Sequence, residues 1–241
     1  IAGTGNVGSK LLQQLQQQQR WLSEHLRLNV RVTGLANSRK MIIDDNGIDF
    51  SNWQEKLQGG EDADVESFIN IIINKNFRNA IFVDMTASDA VAKVYDKLLQ
   101  KSVSVVACNK VAASSSYDYY KKLKELARTY NCLYLFETNV GAALPVIGTL
   151  NDLLRSGDKI NRIEAVLSGT LNFVFNNYDG KVSFAEVVKQ AQDEGYTEPD
   201  PRLDLSGTDV MRKILILARE SGEQLEMEDI TCNGFFLFFF M

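Results

Sequence analysis

Gly3-Thr4-Gly5-Asn6-Val7-Gly8, almost at the start of the sequence, has the spacing G-x-G-x-x-G. Each glycine answers a separate steric demand. The first permits a tight turn, the second lets backbone approach a pyrophosphate, and the third lets a helix pack on a strand. A phosphate then meets the unpaired N–H groups at the helix N-terminus. The motif carries weight only in its setting, and here it opens a helix expected over Val7–Gln19, with a strand over Asn29–Ala36 after it. That strand ends in Leu35-Ala36-Asn37-Ser38-Arg39-Lys40. An acid there would bind a ribose 2′-OH and favour NAD. The sequence offers Arg39 and Lys40 instead, which suits the 2′-phosphate of NADP; the other reading of this stretch is a solvated basic loop.

Outward from this turn, strand and helix signals alternate as in a parallel sheet covered on both faces. A polar loop with Asn46-Gly47 precedes a helix near Val65–Lys75. The apolar run Ala80–Met85 has the composition of a fully buried strand. A helix over Asp89–Lys101, a strand over Val103–Ala107, a helix over Ser116–Tyr130 and a strand over Leu133–Glu137 complete the set. After Pro145 the rhythm changes. A helix over Val146–Arg155 and a strand over Ile160–Leu167 lead to helices near Leu171–Tyr178, Phe184–Glu194 and Leu205–Glu220. The fold class expected is α/β: a Rossmann-type domain over residues 1–145, then a second α+β domain for substrate binding and dimerisation over 146–241, incomplete at its C-terminal end. Both termini, including the Phe-rich run Phe235–Phe240, read as borders of a longer protein.

Composition narrows the chemistry. A net charge of −5 does not suit nucleic acid or an anionic membrane as the main partner. No apolar run is long enough to span a bilayer, and no signal peptide is evident. Cys108, Cys132 and Cys232 are odd in number and lack C-x-x-C spacing, so a cytoplasmic setting is expected. His25 is the sole histidine and lies in a polar stretch. A histidine base and a His/Cys zinc site are therefore disfavoured, leaving Lys, Asp, Glu or Tyr for proton work.

Three further stretches carry a resemblance. Val106-Ala107-Cys108-Asn109-Lys110 and Glu137-Thr138-Asn139-Val140-Gly141-Ala142-Ala143-Leu144-Pro145 each end an expected strand, where open α/β sheets place ligands. Gly195-Tyr196-Thr197-Glu198-Pro199-Asp200-Pro201-Arg202 runs into Asp204-Leu205-Ser206-Gly207-Thr208-Asp209-Val210-Met211-Arg212-Lys213. With the glycine turn, these strongly resemble homoserine dehydrogenases from Ile1 to about Ile230. Leu35–Ser38 and Ser115–Tyr120 look most like the dehydrogenase part of bifunctional aspartokinase–homoserine dehydrogenases. The sequence departs from the family pattern at Leu203-Asp204, where an aspartate pair is usual, and in its Phe-rich tail.

The resemblance implies NAD(P)H-dependent interconversion of L-aspartate 4-semialdehyde and L-homoserine, on the route to threonine and methionine, by a homodimer or higher homo-oligomer. It implies that Lys213 and Lys110 are catalytic with Asp209, and that Glu198, Asp204, Tyr196 and Thr170 bind substrate. Gly3, Gly5, Asn6, Val7, Gly8, Arg39, Thr86 and Lys110 would contact the cofactor, with Thr86, Ala87 and Ser88 approaching the nicotinamide. It further suggests a sodium site formed by the Glu137 carboxylate and the carbonyls of Val140, Ala142 and Leu144, oxygen donors that suit a hard cation.

Simpler readings of the same residues stand beside these. Ser206-Gly207-Thr208-Asp209 also fits a capping box, with Lys213 as an exposed i+4 partner. Glu198 reads equally as a loop acid, Lys110 as a surface lysine at a strand end, and the Glu137 segment as a strand-to-helix turn. Two rival functions remain as well. One is a semialdehyde dehydrogenase using Cys108 as nucleophile, which would need an activating base. The other is a non-catalytic NAD(P)-sensing domain, which would need the glycines but not the acids and lysine crowded between Glu198 and Lys213.

Overall fold

The computed structural model describes residues 1–197 and 201–232. The chain forms two compact units. The first comprises Ile1–Ala112 and Asp118–Phe136; the second comprises Ala113–Tyr117 and the chain from Glu137 on.

The first unit is built on six strands: β1 (Gly34–Ala36), β2 (Lys40–Ile43), β3 (Glu61–Asp62), β4 (Ile81–Asp84), β5 (Ser104–Ala107) and β6 (Tyr134–Leu135). β1, β2 and β3 pair antiparallel, whereas β4, β5 and β6 pair parallel, with Phe82 opposite Val105 and Val105 opposite Tyr134. Ala2 joins the halves by parallel bridges to both Ala36 and Asp84. Its N–H donates to Val83 O at 2.8 Å, and its carbonyl accepts from Met85 N at 2.8 Å. The chain thus enters mid-sheet and turns at Gly3, between strands reached later in opposite directions. That is the switch point where doubly wound sheets open a crevice for ligands.

Apolar side chains of this unit are buried in two groups. Leu12, Val32, Leu35, Ile48, Phe50, Trp53 and Leu57 form one buried cluster. Phe68, Phe82 and Tyr95 follow one another edge to face, at 6.5 and 6.4 Å between ring centroids. The helix opened by the glycine turn runs further than expected, over Asn6–Leu26, and stops where Arg27 takes a left-handed conformation (φ 54°). The expected helix over Asp89–Lys101 is two short helices, Asp89–Ala92 and Tyr95–Leu99.

The largest departure lies after β1. The strand expected over Asn29–Ala36 is regular only at its end, and the chain doubles back at Asn37 into β2. Asn37 makes this turn by accepting the N–H groups of Arg39 (2.7 Å) and Lys40 (2.8 Å) on Oδ1, the usual device by which Asn replaces a backbone turn.

The described part of the second unit is helical: Val146–Arg155, Gly169–Asn177, Phe184–Asp193, Pro201–Leu205 and Thr208–Glu220. Val174, Val187 and Ala191 form a small core, with Phe173, Tyr178, Phe184 and Val188 packed on it. The strand expected over Ile160–Leu167 has no ladder among the described residues, and Val166 is 76% exposed. β-propensity gives an extended backbone, but a strand also needs a partner for its N–H and C=O groups.

Candidate functional site

The glycine turn divides its labour as the spacing requires. Gly3 has φ +92°, and a Cβ there would meet the Met85 carbonyl at 2.8 Å. A Cβ on Gly8 would lie 2.0 Å from Gly3 O, so only glycine lets the helix start this close to the turn. Around Gly5 the case is opposite, for a Cβ would meet nothing within 4 Å. Gly5 is also the helix N-cap and supplies no side-chain bond to the first turn, where Asn6 and Val7 are exposed. The first N–H groups of a long helix thus face open space, as an anionic phosphate requires.

Beside this turn lies a cavity of about 200 Å³, whose floor includes Phe68, Ile69, Phe82 and Val91. Its rim includes Gly3, Asn37, Ser38, Thr86 and Ser88. An apolar floor with a few polar groups at the rim is the usual form of a cofactor pocket. The cavity is lined both by Thr86–Ser88 and by Asn37 and Ser38 of the turn after β1, a turn whose Arg39 is exposed. The loop at Thr86 is fixed from below by Asp84 and Asn109, both buried. Lys110 is half-buried beside Asn109, and Cys108 Sγ lies 3.4 Å from Met85 Sδ.

In the second unit, Lys213 Nζ is 2.6 Å from Asp209 Oδ2 and donates to Leu167 O at 2.7 Å. The Lys213 side chain is only 17% exposed. The capping-box reading is not realised: Gly207 is the N-cap (φ +74°) with no side-chain bond, and Ser206 Oγ accepts Thr208 N at 3.3 Å. Thr170, itself buried, stands between the Tyr196 carbonyl and Asp204 Oδ1, the latter at 3.1 Å. Its single hydroxyl proton can serve only one of them at a time. Tyr196 is half exposed and stacks on Phe173 at 4.4 Å. Glu198 lies outside the described residues.

The Glu137 carboxylate caps the helix Val146–Arg155. Oε1 accepts Ile147 N at 2.8 Å and Oε2 accepts Gly148 N at 2.7 Å, while Pro145 at the N-cap offers no side-chain bond. Between them Gly141 and Ala142 both take positive φ, 80° and 51°.

Two family models cover the chain: homoserine dehydrogenase, NAD binding domain, over residues 3–137, and homoserine dehydrogenase over residues 145–236. The chain belongs to the homoserine dehydrogenase family. It is 48% identical over 97% of its length to the chloroplastic bifunctional aspartokinase/homoserine dehydrogenase 1 of Zea mays, of which it spans 26%. It is 36% identical over 94% of its length to the homoserine dehydrogenase of Schizosaccharomyces pombe, spanning 62% of it. A hyperthermophilic archaeal homoserine dehydrogenase in complex with NADPH superposes with a TM-score of 0.78, at 25% identity, over 96% of this chain and 73% of that one.

Against that family background, the residues that sequence reasoning passed over are the buried polar ones. Asp84 was visible only as the one acid inside the apolar run Ala80–Met85, and Tyr95 as a member of a helix. A carboxylate ending a fully buried strand was the available signal, because such a group needs partners.

Proposed function

We propose that this chain holds the cofactor and the proton-handling lysine of an enzyme that interconverts L-aspartate 4-semialdehyde and L-homoserine with NAD(P)H. The observation that carries this reading is the Lys213 side chain, 17% exposed, whose ammonium pairs with Asp209 and also donates to the Leu167 carbonyl. A surface i,i+4 pair needs no such second anchor.

When bound, the nicotinamide cofactor supplies or accepts the hydride at the carbonyl carbon. The chain's own residues handle what remains. Lys213 Nζ gives a proton to the substrate oxygen in reduction and takes it back in oxidation, with Asp209 keeping the ammonium in place. Lys110, in the first unit, is assigned as a second catalytic cation by the family resemblance. In this reading Glu198 and Asp209 bind the substrate's ammonium and hydroxyl groups, Asp204, hydrogen-bonded by Thr170, adds a further carboxylate, and Tyr196 and Thr170 are additional polar contacts. Gly3, Gly5, Asn6, Val7 and Gly8 receive the pyrophosphate; the apolar cavity takes the adenosine half of the cofactor, with Thr86 at its rim. Arg39, exposed on the turn after β1, would favour NADP over NAD.

A sodium ion at Glu137, Val140, Ala142 and Leu144 belongs to the same reading. It would share the Glu137 carboxylate with the helix cap, since each of those oxygens already accepts one N–H. A fused aspartokinase and a homodimeric assembly are proposed by analogy with the bifunctional relatives and the family.

The deciding experiment follows NADPH consumption with aspartate semialdehyde, and its reversal with homoserine, in the intact protein. Turnover lowered roughly 10²- to 10⁴-fold by Lys213→Ala but spared by thiol alkylation is expected. The reverse pattern would transfer the chemistry to Cys108.

A further inference from the structure

Asp84, the last residue of β4, is fully buried. Its carboxylate closes three hydrogen bonds. Oδ1 accepts Thr86 N at 2.7 Å, and Oδ2 accepts both the Tyr95 hydroxyl and Asn109 Nδ2, the last at 3.0 Å. Burial and the adjacent carboxylate push the Tyr95 phenol well above its ordinary range, so Tyr95 stays a donor. Asn109, 2% exposed, spends its second amide hydrogen on Ser88 O at 3.0 Å, and its Oδ1 accepts Val111 N at 3.0 Å. Thr86 Oγ1 in turn accepts Ser88 N at 3.1 Å.

One buried carboxylate and one buried amide therefore stitch the loop leaving β4 to the loop leaving β5. The turn closed by Asn109 Oδ1 and Val111 N is the turn that carries Lys110. The loop closed by Asp84 Oδ1 carries Thr86, on the cavity rim. Two adjacent apolar strand ends would pack without any of this, and a carboxylate is a costly group to bury for packing alone.

We propose that Asp84 is a positioning residue that, through Asn109, holds the Thr86–Ser88 loop and the Lys110 turn in one register for the nicotinamide cofactor. The proposal rests on the cofactor reading above. Neither Asp84 nor Tyr95 reaches solvent, so their effect on the reaction passes through the two loops. Small losses of register are expensive in such a site, where a misplacement of about 1 Å can cost roughly 100-fold in rate.

The test uses Asp84→Asn and Tyr95→Phe in the intact protein. Asparagine turns one of the two acceptor oxygens into a donor, set against either Thr86 N or the Tyr95 and Asn109 donors, whereas phenylalanine removes one donor and leaves the rest. Steady-state kinetics, NADPH affinity by fluorescence and amide exchange at Thr86 and Val111 are measured together. For Asp84→Asn, kcat should fall roughly 10- to 100-fold, while KM for the amino-acid substrate changes much less. The Thr86 and Val111 amides should lose protection in parallel. Tyr95→Phe should show the same pattern more weakly, and it carries the test alone if Asp84→Asn does not fold. A lowered melting temperature with kcat, NADPH affinity and parallel protection unchanged would make the network a stability device and overturn the proposal. If the unaltered protein binds no NADPH, the cofactor reading falls and takes this proposal with it.

Discussion

Gly5 and Gly8 sit in one turn, yet the structure predicts opposite signatures for their loss. Alanine at Gly5 meets no protein atom within 4 Å and keeps an ordinary backbone, so stability should change by less than about 1 kcal/mol. The methyl group would stand where a phosphate must approach, so NADPH affinity should drop by tenfold or more. Alanine at Gly8 would place Cβ 2.0 Å from Gly3 O and should lower the melting temperature before any ligand is added. Melting curves with and without NADPH separate the two; equal destabilisation by both would mean that the open space at Gly5 is not a ligand's. Lys213 gives the second prediction at this scale. Lys213→Ala should lower turnover roughly 10²- to 10⁴-fold, the usual contribution of a positioned acid or base, with NADPH affinity little altered. An ordinary surface pair would leave turnover intact and cost at most about 0.5 kcal/mol, so kinetics beside a melting curve decide between them. The glycine turn and the pairing of Asp209 with Lys213 were legible in the sequence because each depends on spacing along one turn or one helix face, whereas a catalytic part for Lys213 came only from the family resemblance. Asp84, Tyr95 and Asn109 were not, because their partnership depends on which strands end side by side.

At the scale of elements, the helices Val65–Lys75 and Val146–Arg155 stand where the apolar periodicity put them, because each carries a local start signal. Asp64 accepts Ser67 N at 2.6 Å for the first, and Glu137 caps the second. The β1–β2 hairpin was not legible, since Met41-Ile42-Ile43 is too short to signal a strand without its partner. The hairpin gives Arg39 a defined place on a turn fixed by Asn37, instead of on a loose basic loop. Arg39→Ala should therefore weaken NADP more than NAD, because only the 2′-phosphate loses a charge-assisted bond. Parallel titrations with the two cofactors measure this, and equal losses would place the 2′-phosphate elsewhere. For the helix Val146–Arg155, Glu137→Ala removes the acceptor of two N–H groups and should cost about 1–2 kcal/mol. If the proposed sodium ion also uses Glu137, the unaltered protein should melt higher in sodium than in choline chloride, and the variant should lose that difference. A melting point indifferent to sodium in the unaltered protein would remove the ion and leave the cap.

On the scale of the whole molecule, the change of rhythm after Pro145 announces a second part, but no linear signal marks Ala113–Tyr117, which lies within the first half of the sequence and belongs to the second unit. The reason becomes visible only at Arg219. Its side chain is fully buried in the helix Thr208–Glu220. Nη1 donates to Ala113 O at 3.0 Å, while Nε and Nη2 both reach Leu225 O, at 3.0 and 2.8 Å. Nη2 also meets Glu226 Oε2 at 2.9 Å, and Glu226 Oε1 accepts Tyr117 N at 2.8 Å. The guanidinium thus gathers two stretches distant in sequence, and its planar fork of donors suits that task where a lysine's single ammonium does not. Glu226 is 45% exposed, so the ion pair itself is partly screened and the buried carbonyl bonds matter more. Arg219→Ala should strand the Ala113 and Leu225 carbonyls and leave a cavity, costing about 3 kcal/mol. Arg219→Lys should recover less than half of that loss, because it cannot reach all three acceptors at once. The measurement is urea unfolding of both variants, with amide exchange at Tyr117 as the local readout. Full recovery by lysine would mean that charge, and not the shape of the guanidinium, holds Ala113–Tyr117 in the second unit.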